Sequence, residues 1–147
     1  MPKARPKPTR EPSLQSLLSQ ASRRATADLE QVLRPEGVPV ECWRVLEVLA
    51  DESGRSMSAL ADAVSMKLPS LSKAIDRMVA AALVQRAPDP HDQRRVLVYI
   101  SDFGLQTVQG LRGSVQRHRT SQETALGSRE GAELKRLLKA FIREPRS

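Results

Sequence analysis

Apolar residues recur at steps of three and four between positions 14 and 33, which is the spacing of one face of an amphipathic helix. Ser13 lies directly before this stretch and is suited to cap the helix, because its hydroxyl can accept a hydrogen bond from a backbone N–H of the first turn. The run Pro35-Glu36-Gly37 contains two residue types that end helices. The pattern therefore predicts a long first helix with one apolar face.

The same spacing predicts five further helices along the chain. They are a helix over about Pro39–Asp51, a brief helix capped by Ser58, a helix over about Pro69–Ala82, a long helix capped by Ser101, and a last helix over about Ser128–Arg143. The brief helix and the one after it are separated by a turn over residues 65–68.

Two short runs rich in β-branched and aliphatic residues, Leu83–Ala87 and Arg95–Ile100, predict strands. The segment between them, Pro88–Arg94, is charged and contains turn-forming residues, so the two strands form a hairpin with a long polar tip. Met57 is expected to lie in a very short third strand. The fold class is mainly α with a small β-hairpin.

Composition agrees with this class. The 147 residues include only four aromatic side chains, so Leu, Val and Ala must build the interior, which favours helices. A chain of this length can bury the core of one domain. A single cysteine cannot form an internal disulfide, and no apolar run approaches the roughly 20 residues that span a bilayer. Residues 1–12 also lack the apolar segment of a signal peptide, so a cytoplasmic location is expected.

The net charge of +7 is unevenly distributed along the chain. Residues 1–10 carry four basic side chains and no acid, while residues 41–100 balance eight of each sign. Proline and charge predict a disordered basic arm over residues 1–12. A basic protein suggests a polyanionic partner, but the charge alone does not distinguish nucleic acid from a lipid surface, or from a surface that is simply solvated.

Two short helices joined by a tight turn and followed by a hairpin form the layout of a winged helix-turn-helix. The second helix of such a pair enters the DNA major groove and contacts bases through its N-terminal residues. Small hydroxyls and cations lie at these positions, and the candidate contacts are Pro69, Ser70, Ser72, Lys73 and Arg77. The alternative is that the serines only cap the helix and the cations are solvated.

The hairpin is then the wing, and its tip carries four further candidate DNA contacts: His91, Asp92, Arg94 and Arg95. The Asp92 carboxylate can orient the guanidinium of Arg94 towards the negative minor groove. Arg95 is expected at the phosphate backbone. The alternative is an exposed Asp–Arg pair that contributes almost nothing to stability or binding.

The segment Asp89-Pro90-His91-Asp92-Gln93-Arg94, then Val96-Leu97-Val98, then Ile100-Ser101-x-x-Gly104 resembles the wing signature of the MarR-type transcriptional regulators. Leu60-Ala61 and Pro69-Ser70-Leu71-Ser72 lie where that family has its helix-turn-helix. The resemblance covers the chain from about Leu14 to Phe141. Ile100-Ser101 replaces the family's Leu-Thr, and Gln93 stands where arginine is frequent.

The resemblance implies one MarR-like domain over residues 13–143, with a winged helix-turn-helix at 38–100 and dimerisation helices at 13–36 and 101–143. It also implies an obligate homodimer on a palindromic operator, with half-sites about 10 bp apart. Apolar stripes at 14–33, 103–115 and 134–142 independently exceed what a small winged domain can cover, which supports a dimer. By analogy with the family, repression is favoured over activation.

Family members commonly bind small anionic aromatic molecules between the dimerisation helices and the winged domain, and this binding weakens DNA affinity. The candidate effector contacts are Arg23, Arg24, Trp43 and Arg44, since guanidinium and indole together suit an aromatic carboxylate. The alternative is that Trp43 is a core residue and the arginines lie on the solvent-exposed faces of their helices.

Other functions have less support from the sequence. Cys42 does not match the early cysteine of oxidant-sensing relatives and fits a buried, inert thiol better. His91 and His118 have no metal-ligand spacing, and neither a phosphate loop nor a nucleophile–base pair is recognisable, so no metal, cofactor or enzymatic activity is expected. An architectural nucleic-acid-binding protein and a protein-binding winged helix remain as alternatives.

Overall fold

The computed structural model describes residues 1–5 and 10–146. Residues 1–5 and 10–13 lie outside any helix or strand, and residues 6–9 of the expected arm lie outside the described part of the chain. The described elements are α1 (Leu14–Leu33), a 3₁₀ turn (Arg34–Glu36), α2 (Val40–Leu49), α3 (Met57–Val64), α4 (Leu68–Ala80), β1 (Val84–Pro88), β2 (Val96–Ile100), α5 (Asp102–Thr124) and α6 (Ser128–Arg143). The expected class, mainly α with one hairpin, is confirmed.

Serine hydroxyls cap the N-termini of three helices. Ser13 accepts a hydrogen bond from the backbone N–H of Ser16 at 3.1 Å, and Ser101 accepts one from Gly104 at 2.9 Å. The third cap is Ser56, which accepts from the Ala59 N–H at 3.2 Å, so the expectation that Ser58 caps α3 was wrong. Both serines can cap, and the helix begins two residues earlier than expected, with Met57 in its first turn.

The two strands pair in antiparallel register, from Val84 opposite Ile100 to Pro88 opposite Val96. The third strand contact comes from Arg55, not from Met57 as expected. The backbone N–H of Arg55 donates to the Val98 carbonyl at 3.0 Å, and the Val98 N–H donates back at 2.8 Å. This bridge anchors the base of the hairpin to the segment between α2 and α3.

The core lies where α2, α3 and α4 meet the hairpin and the first half of α5. Its largest fully buried side chains include Trp43, Leu46, Leu60, Leu71 and Ile75. Burial of each such side chain contributes about 1.5–3 kcal/mol of transfer free energy. The helix-turn-helix and the hairpin therefore share one interior, which fixes their relative orientation.

Close packing joins the hairpin to α5 at Gly104. A Cβ atom at this position would lie 2.2 Å from the carbonyl oxygen of Leu83, so only glycine allows the approach. The hydroxyl of Ser101 also donates to the Ala82 carbonyl at 2.6 Å, and the Ser101 N–H donates to Leu83 at 3.0 Å. The Ser-x-x-Gly step is thus the joint between the wing and the following helix.

The ends of the chain leave apolar surface uncovered. Exposed large side chains on α1 and α6 include Leu14, Leu17, Leu134, Leu137, Phe141 and Ile142. The one buried residue of α6 is Gly131, which lies against the backbone of Glu123 in α5. No helix among the described residues is long and apolar enough to cross a bilayer.

Candidate nucleic-acid interface and effector cavity

Most apolar side chains of α4 pack in the core, although Leu68 and Val79 remain exposed, and the polar side of the helix faces solvent. Leu71, Ala74, Ile75 and Met78 are buried, at intervals that keep them on one face. The five residues that the sequence assigned to DNA are all exposed: Pro69, Ser70, Ser72, Lys73 and Arg77. Within the described residues, neither the Ser70 nor the Ser72 hydroxyl makes a hydrogen bond, so both are available to a ligand.

The first turn of α4 has no side-chain cap, because its N-cap residue is Lys67. The backbone N–H groups of that turn therefore lack an intrahelical or side-chain acceptor. Together with the partial positive charge of a helix N-terminus, they form a site suited to a phosphate oxygen. The expected start of this helix at Pro69 differs from the structure by one residue, since α4 begins at Leu68.

One edge of α4 carries three of the candidate contacts together. Ser70, Lys73 and Arg77 line an open cavity of about 580 Å³ that α4 forms with α2, and the carboxylates of Glu41 and Asp76 lie in the same lining. Arg77 also borders the start of α2, where it lines a second cavity with Cys42. The spacing of 70, 73 and 77 follows from the helical period, and it gives the protein a row of donors on one side.

An ion pair that the sequence did not suggest connects α4 to the wing. Arg86 Nη2 on β1 lies 2.6 Å from Asp76 Oδ1 on α4, with side chains 39% and 65% exposed. An exposed pair of this kind contributes about 0–1 kcal/mol. Its effect is geometric, because it joins the helix that carries Lys73 to the strand that leads to the wing tip.

Hydrogen bonds to two carboxylates order the wing tip. Asp92 Oδ1 accepts from the Arg94 backbone N–H at 3.1 Å and from Arg94 Nε at 3.4 Å. Asp89 Oδ1 accepts from the His91 N–H at 2.9 Å, and the Asp89 N–H donates to the Arg95 carbonyl at 2.8 Å. The side chain of Arg94 is 94% exposed. The tip is therefore a closed turn that presents a guanidinium to solvent.

The base of the wing is held by a second acid–arginine pair. Arg55 Nη2 lies 2.7 Å from Asp51 Oδ2, and the Ser53 N–H donates to Asp51 Oδ1 at 3.0 Å. The hydrogen bond from Arg55, followed by that from Ser53, lowers the pKa of the Asp51 carboxyl below its usual value. Arg55 thus connects the α2–α3 turn with β2, and periodicity alone gives no signal for it.

Beside α2 lies a cavity of about 540 Å³ between the end helices and the helix-turn-helix. It is lined by Ser22, Leu29, Trp43, Arg44, Glu47, Val48, Ala63, Val64, Ser65 and Arg119. The structure therefore brings Trp43 and Arg44 to one cavity. Arg23 and Arg24 are exposed on α1 but do not line it, and Ser22 lies there instead.

Polar groups in this cavity are incompletely paired. Trp43 is 2% exposed, and its indole Nε1 has no hydrogen-bond partner among the described residues. Arg44 Nη2 donates to the Thr26 hydroxyl at 3.2 Å, and Arg119 pairs with Glu47. His118, whose Nε2 is buried and unpaired in the described chain, lines an adjoining cavity with Arg44 and Arg119. No pattern in the sequence singles out Arg119 or Glu47.

Cys42 is buried at 4% exposure. Burial raises the pKa of its thiol, partly offset by the positive charge of Arg77. Among the described residues, no group of three or more His, Cys, Asp or Glu side chains could hold a metal ion.

Comparisons with known proteins agree with this geometry. The profile of the MarR family matches residues 36–95, which contain the helix-turn-helix and most of the wing. The transcriptional repressor IacR of Pseudomonas putida is 33% identical over 63% of this chain. The chain spans 55% of the length of IacR, and 66% of that of a regulatory protein for the hcr operon of Thauera aromatica.

Solved structures extend the likeness to nearly the whole chain. The MarR family regulator SPO1453 from Silicibacter pomeroyi is 30% identical with a TM-score of 0.76, over 88% of this chain and 92% of that protein. A MarR variant from E. coli, solved with operator DNA, is 25% identical with a TM-score of 0.80. The likeness covers 88% of this chain and 93% of that protein.

A third solved structure shows the fold alone. BpsR of Bordetella bronchiseptica, whose DNA binding is regulated by 6-hydroxynicotinic acid, is 22% identical with a TM-score of 0.81. The likeness covers 90% of this chain and 95% of BpsR. With the winged architecture, the exposed polar face of α4 and the ordered wing tip, these likenesses identify the chain as a member of the MarR family of transcriptional regulators.

Proposed function

We propose that this protein is a cytoplasmic repressor that binds a palindromic operator as a homodimer and is released by a small anionic aromatic molecule. The observation that carries the proposal is the pairing of a polar, unobstructed α4 N-terminus with a wing tip whose Arg94 is 94% exposed and held by Asp92. Neither feature stabilises the fold, and both match what DNA offers: base edges and phosphates in the major groove, and negative potential in the minor groove.

Each DNA-contacting group has a distinct role in this proposal. Pro69, Ser70 and Ser72 enter the major groove at the start of α4, where short side chains allow close approach. Lys73, Arg77 and Arg95 neutralise phosphates, which gives affinity without sequence information. Arg94 enters the minor groove, oriented by Asp92, with His91 beside it at the tip.

The homodimer is supported by apolar surface that one chain leaves uncovered. Leu134, Leu137 and Phe141 follow a single face of α6 and are each about half exposed. Leu14 and Leu17 add apolar surface at the start of α1. Burying such side chains against a second copy gains about 25 cal/mol per Å². A two-fold symmetric dimer also matches the symmetry of a palindromic site.

An effector site is supported by the cavity beside α2. Its volume of about 540 Å³ suits a small ring compound, and Trp43 provides an aromatic wall. The guanidinium groups of Arg44 and Arg119 supply the charge for a carboxylate. Arg23 and Arg24, which the sequence also suggested, lie on the solvent side of α1. Regulation of BpsR by 6-hydroxynicotinic acid and the repressor activity in the name of IacR are consistent with this assignment.

Selection of genomic DNA fragments by the full-length protein tests the proposal. The selected fragments are expected to share one inverted repeat with half-sites about 10 bp apart. That repeat should bind roughly a thousandfold or more tightly than random DNA at the same salt concentration. Fragments without a common sequence would favour an architectural DNA-binding protein, and no DNA affinity at low salt would favour a protein-binding winged helix.

A further inference from the structure

An ion pair crosses the cavity in which the effector is proposed to bind. Glu47 belongs to α2 and Arg119 to α5, and the Glu47 carboxylate accepts a hydrogen bond from Arg119 Nη2. Both residues line the cavity, with side chains 30% and 45% exposed. The pair is therefore accessible from the space that a ligand would occupy, and it ties the helix before the helix-turn-helix to a helix outside the winged domain.

The side chains that line the cavity carry one more positive than negative charge, which a single ligand carboxylate would neutralise. Its ionisable lining residues are Arg44, Arg119 and Glu47, so two cations face one acid. Arg44 donates to a neutral hydroxyl, that of Thr26. Arg119 is thus the guanidinium that already holds a carboxylate, and a ligand acid must compete with that internal partner or bind beside it.

Competition is physically favourable at this position. A partly exposed ion pair within a protein gains little, because water screens it and two long side chains lose rotamer freedom. A ligand carboxylate brings no such side-chain cost of its own, and it can meet a guanidinium through two parallel hydrogen bonds. Glu47 can return to water when it is displaced, so no charge is left buried and unpaired.

We propose that the effector's carboxylate and Glu47 compete for the guanidinium of Arg119, so that binding of the effector breaks the ion pair between α2 and α5. This inference rests on the proposed effector site. It makes Glu47 an internal competitor that lowers the apparent affinity for the acid, and it makes loss of the α2–α5 link the first structural consequence of binding.

The same cavity borders the turn that leads into α4, the helix proposed to bind DNA. Ala63, Val64 and Ser65 form part of its wall, and they are the end of α3 and the turn that follows. Ser65 adopts a left-handed conformation with φ 55°, and α4 begins three residues later. A ligand that breaks the ion pair between α2 and α5 therefore also lies beside the turn that leads into α4.

The lining of the cavity narrows the class of ligand. Two guanidinium groups against one carboxylate suit a ligand with a single negative charge, and the indole of Trp43 suits a ring. An aromatic monocarboxylate meets both requirements.

The test compares Glu47→Gln with the wild type by calorimetric titration with benzoate, 4-hydroxyphenylacetate and 6-hydroxynicotinate. Removing the competing carboxylate should tighten binding of at least one acid by about three- to tenfold. Glu41→Gln is the matched control, because it removes the same charge from the same helix outside this cavity, and it should leave the affinity unchanged. The uncharged amide of the acid that binds should not distinguish Glu47→Gln from the wild type.

The outcomes separate this inference from the function on which it rests. Acid binding by the wild type that is unchanged or weaker in Glu47→Gln would overturn the exchange and leave the effector site intact. Equal tightening by Glu41→Gln would reduce the effect to general charge and also overturn it. Absence of binding by both the wild type and Glu47→Gln to all three acids would refute the effector site, and the exchange with it.

Discussion

Single residues at the wing tip have an unusual combination of order and exposure. The turn from Asp89 to Arg95 is closed by backbone hydrogen bonds, yet the Arg94 side chain makes a single hydrogen bond within the described residues, from Nε to Asp92. A long side chain that is already restrained loses less rotamer entropy on binding. We therefore expect Arg94 to contribute to recognition of DNA far more than to folding.

Replacing Arg94 with Ala should lower operator affinity by about 5- to 150-fold, since loss of one specific groove contact costs about 1–3 kcal/mol. Thermal stability should change by less than about 0.5 kcal/mol, because the side chain is exposed. Electrophoretic mobility shift and thermal melting measure the two effects. A large fall in melting temperature with normal DNA affinity would make Arg94 a structural residue instead.

Cys42 provides a second prediction at this scale. Burial raises the pKa of its thiol, so the reactive thiolate is scarcer at pH 8 than in an exposed cysteine. Reaction with a disulfide reagent such as DTNB should be slow in the folded protein and fast in urea. The contribution of this thiol to the free energy of unfolding should decline as the pH rises above the pKa that the thiol has in the unfolded chain. Rapid labelling of the native protein would contradict this account and support a redox sensor.

Among the elements, the joint between the wing and α5 depends on close backbone approach. Gly104→Ala should destabilise the protein by about 1–3 kcal/mol, because its Cβ would lie 2.2 Å from the Leu83 carbonyl. Gly110→Ala on the same helix meets nothing within 4 Å and should stabilise it by about 0.5–1 kcal/mol. Urea denaturation of both variants measures the difference. Equal effects of the two substitutions would contradict the packing described at Gly104.

Most elements follow from local signals in the sequence. The period of apolar residues and the caps at Ser13 and Ser101 predict α1 and α5, and the bounds of α6, Ser128–Arg143, are those expected. Ser56 and Ser58 offer two equivalent caps for α3, and local chemistry does not distinguish them. The two strands, expected at Leu83–Ala87 and Arg95–Ile100, lie within one residue of those bounds, at Val84–Pro88 and Val96–Ile100.

The candidate site is less predictable where helices cross. The outward residues of α4 follow from its period, since the inner face is apolar. The pairs Asp76–Arg86 and Glu47–Arg119 join residues whose proximity depends on how separate elements pack. The rotation of α1 is a similar case, because it turns Ser22 rather than Arg23 towards the cavity. No period within one helix contains that information.

At the scale of the whole molecule, the account depends on two chains acting together. Replacing both Leu137 and Phe141 with Ser should weaken the proposed dimer while leaving the helical content of each chain nearly intact, because both side chains are half exposed in one chain. Lys139→Ser on the same helix is the control and should not change the assembly. Sedimentation equilibrium measures the effect, and a wild-type protein that sediments as a single chain would contradict the dimer.

Specific binding of a dimer to DNA can be measured by titrating a labelled duplex that contains the selected inverted repeat, with a duplex of scrambled half-sites as competitor at the same salt concentration. We expect saturation at two chains per duplex and roughly a thousandfold preference for the repeat. Equal affinity for the two duplexes, or saturation by one chain, would contradict this expectation.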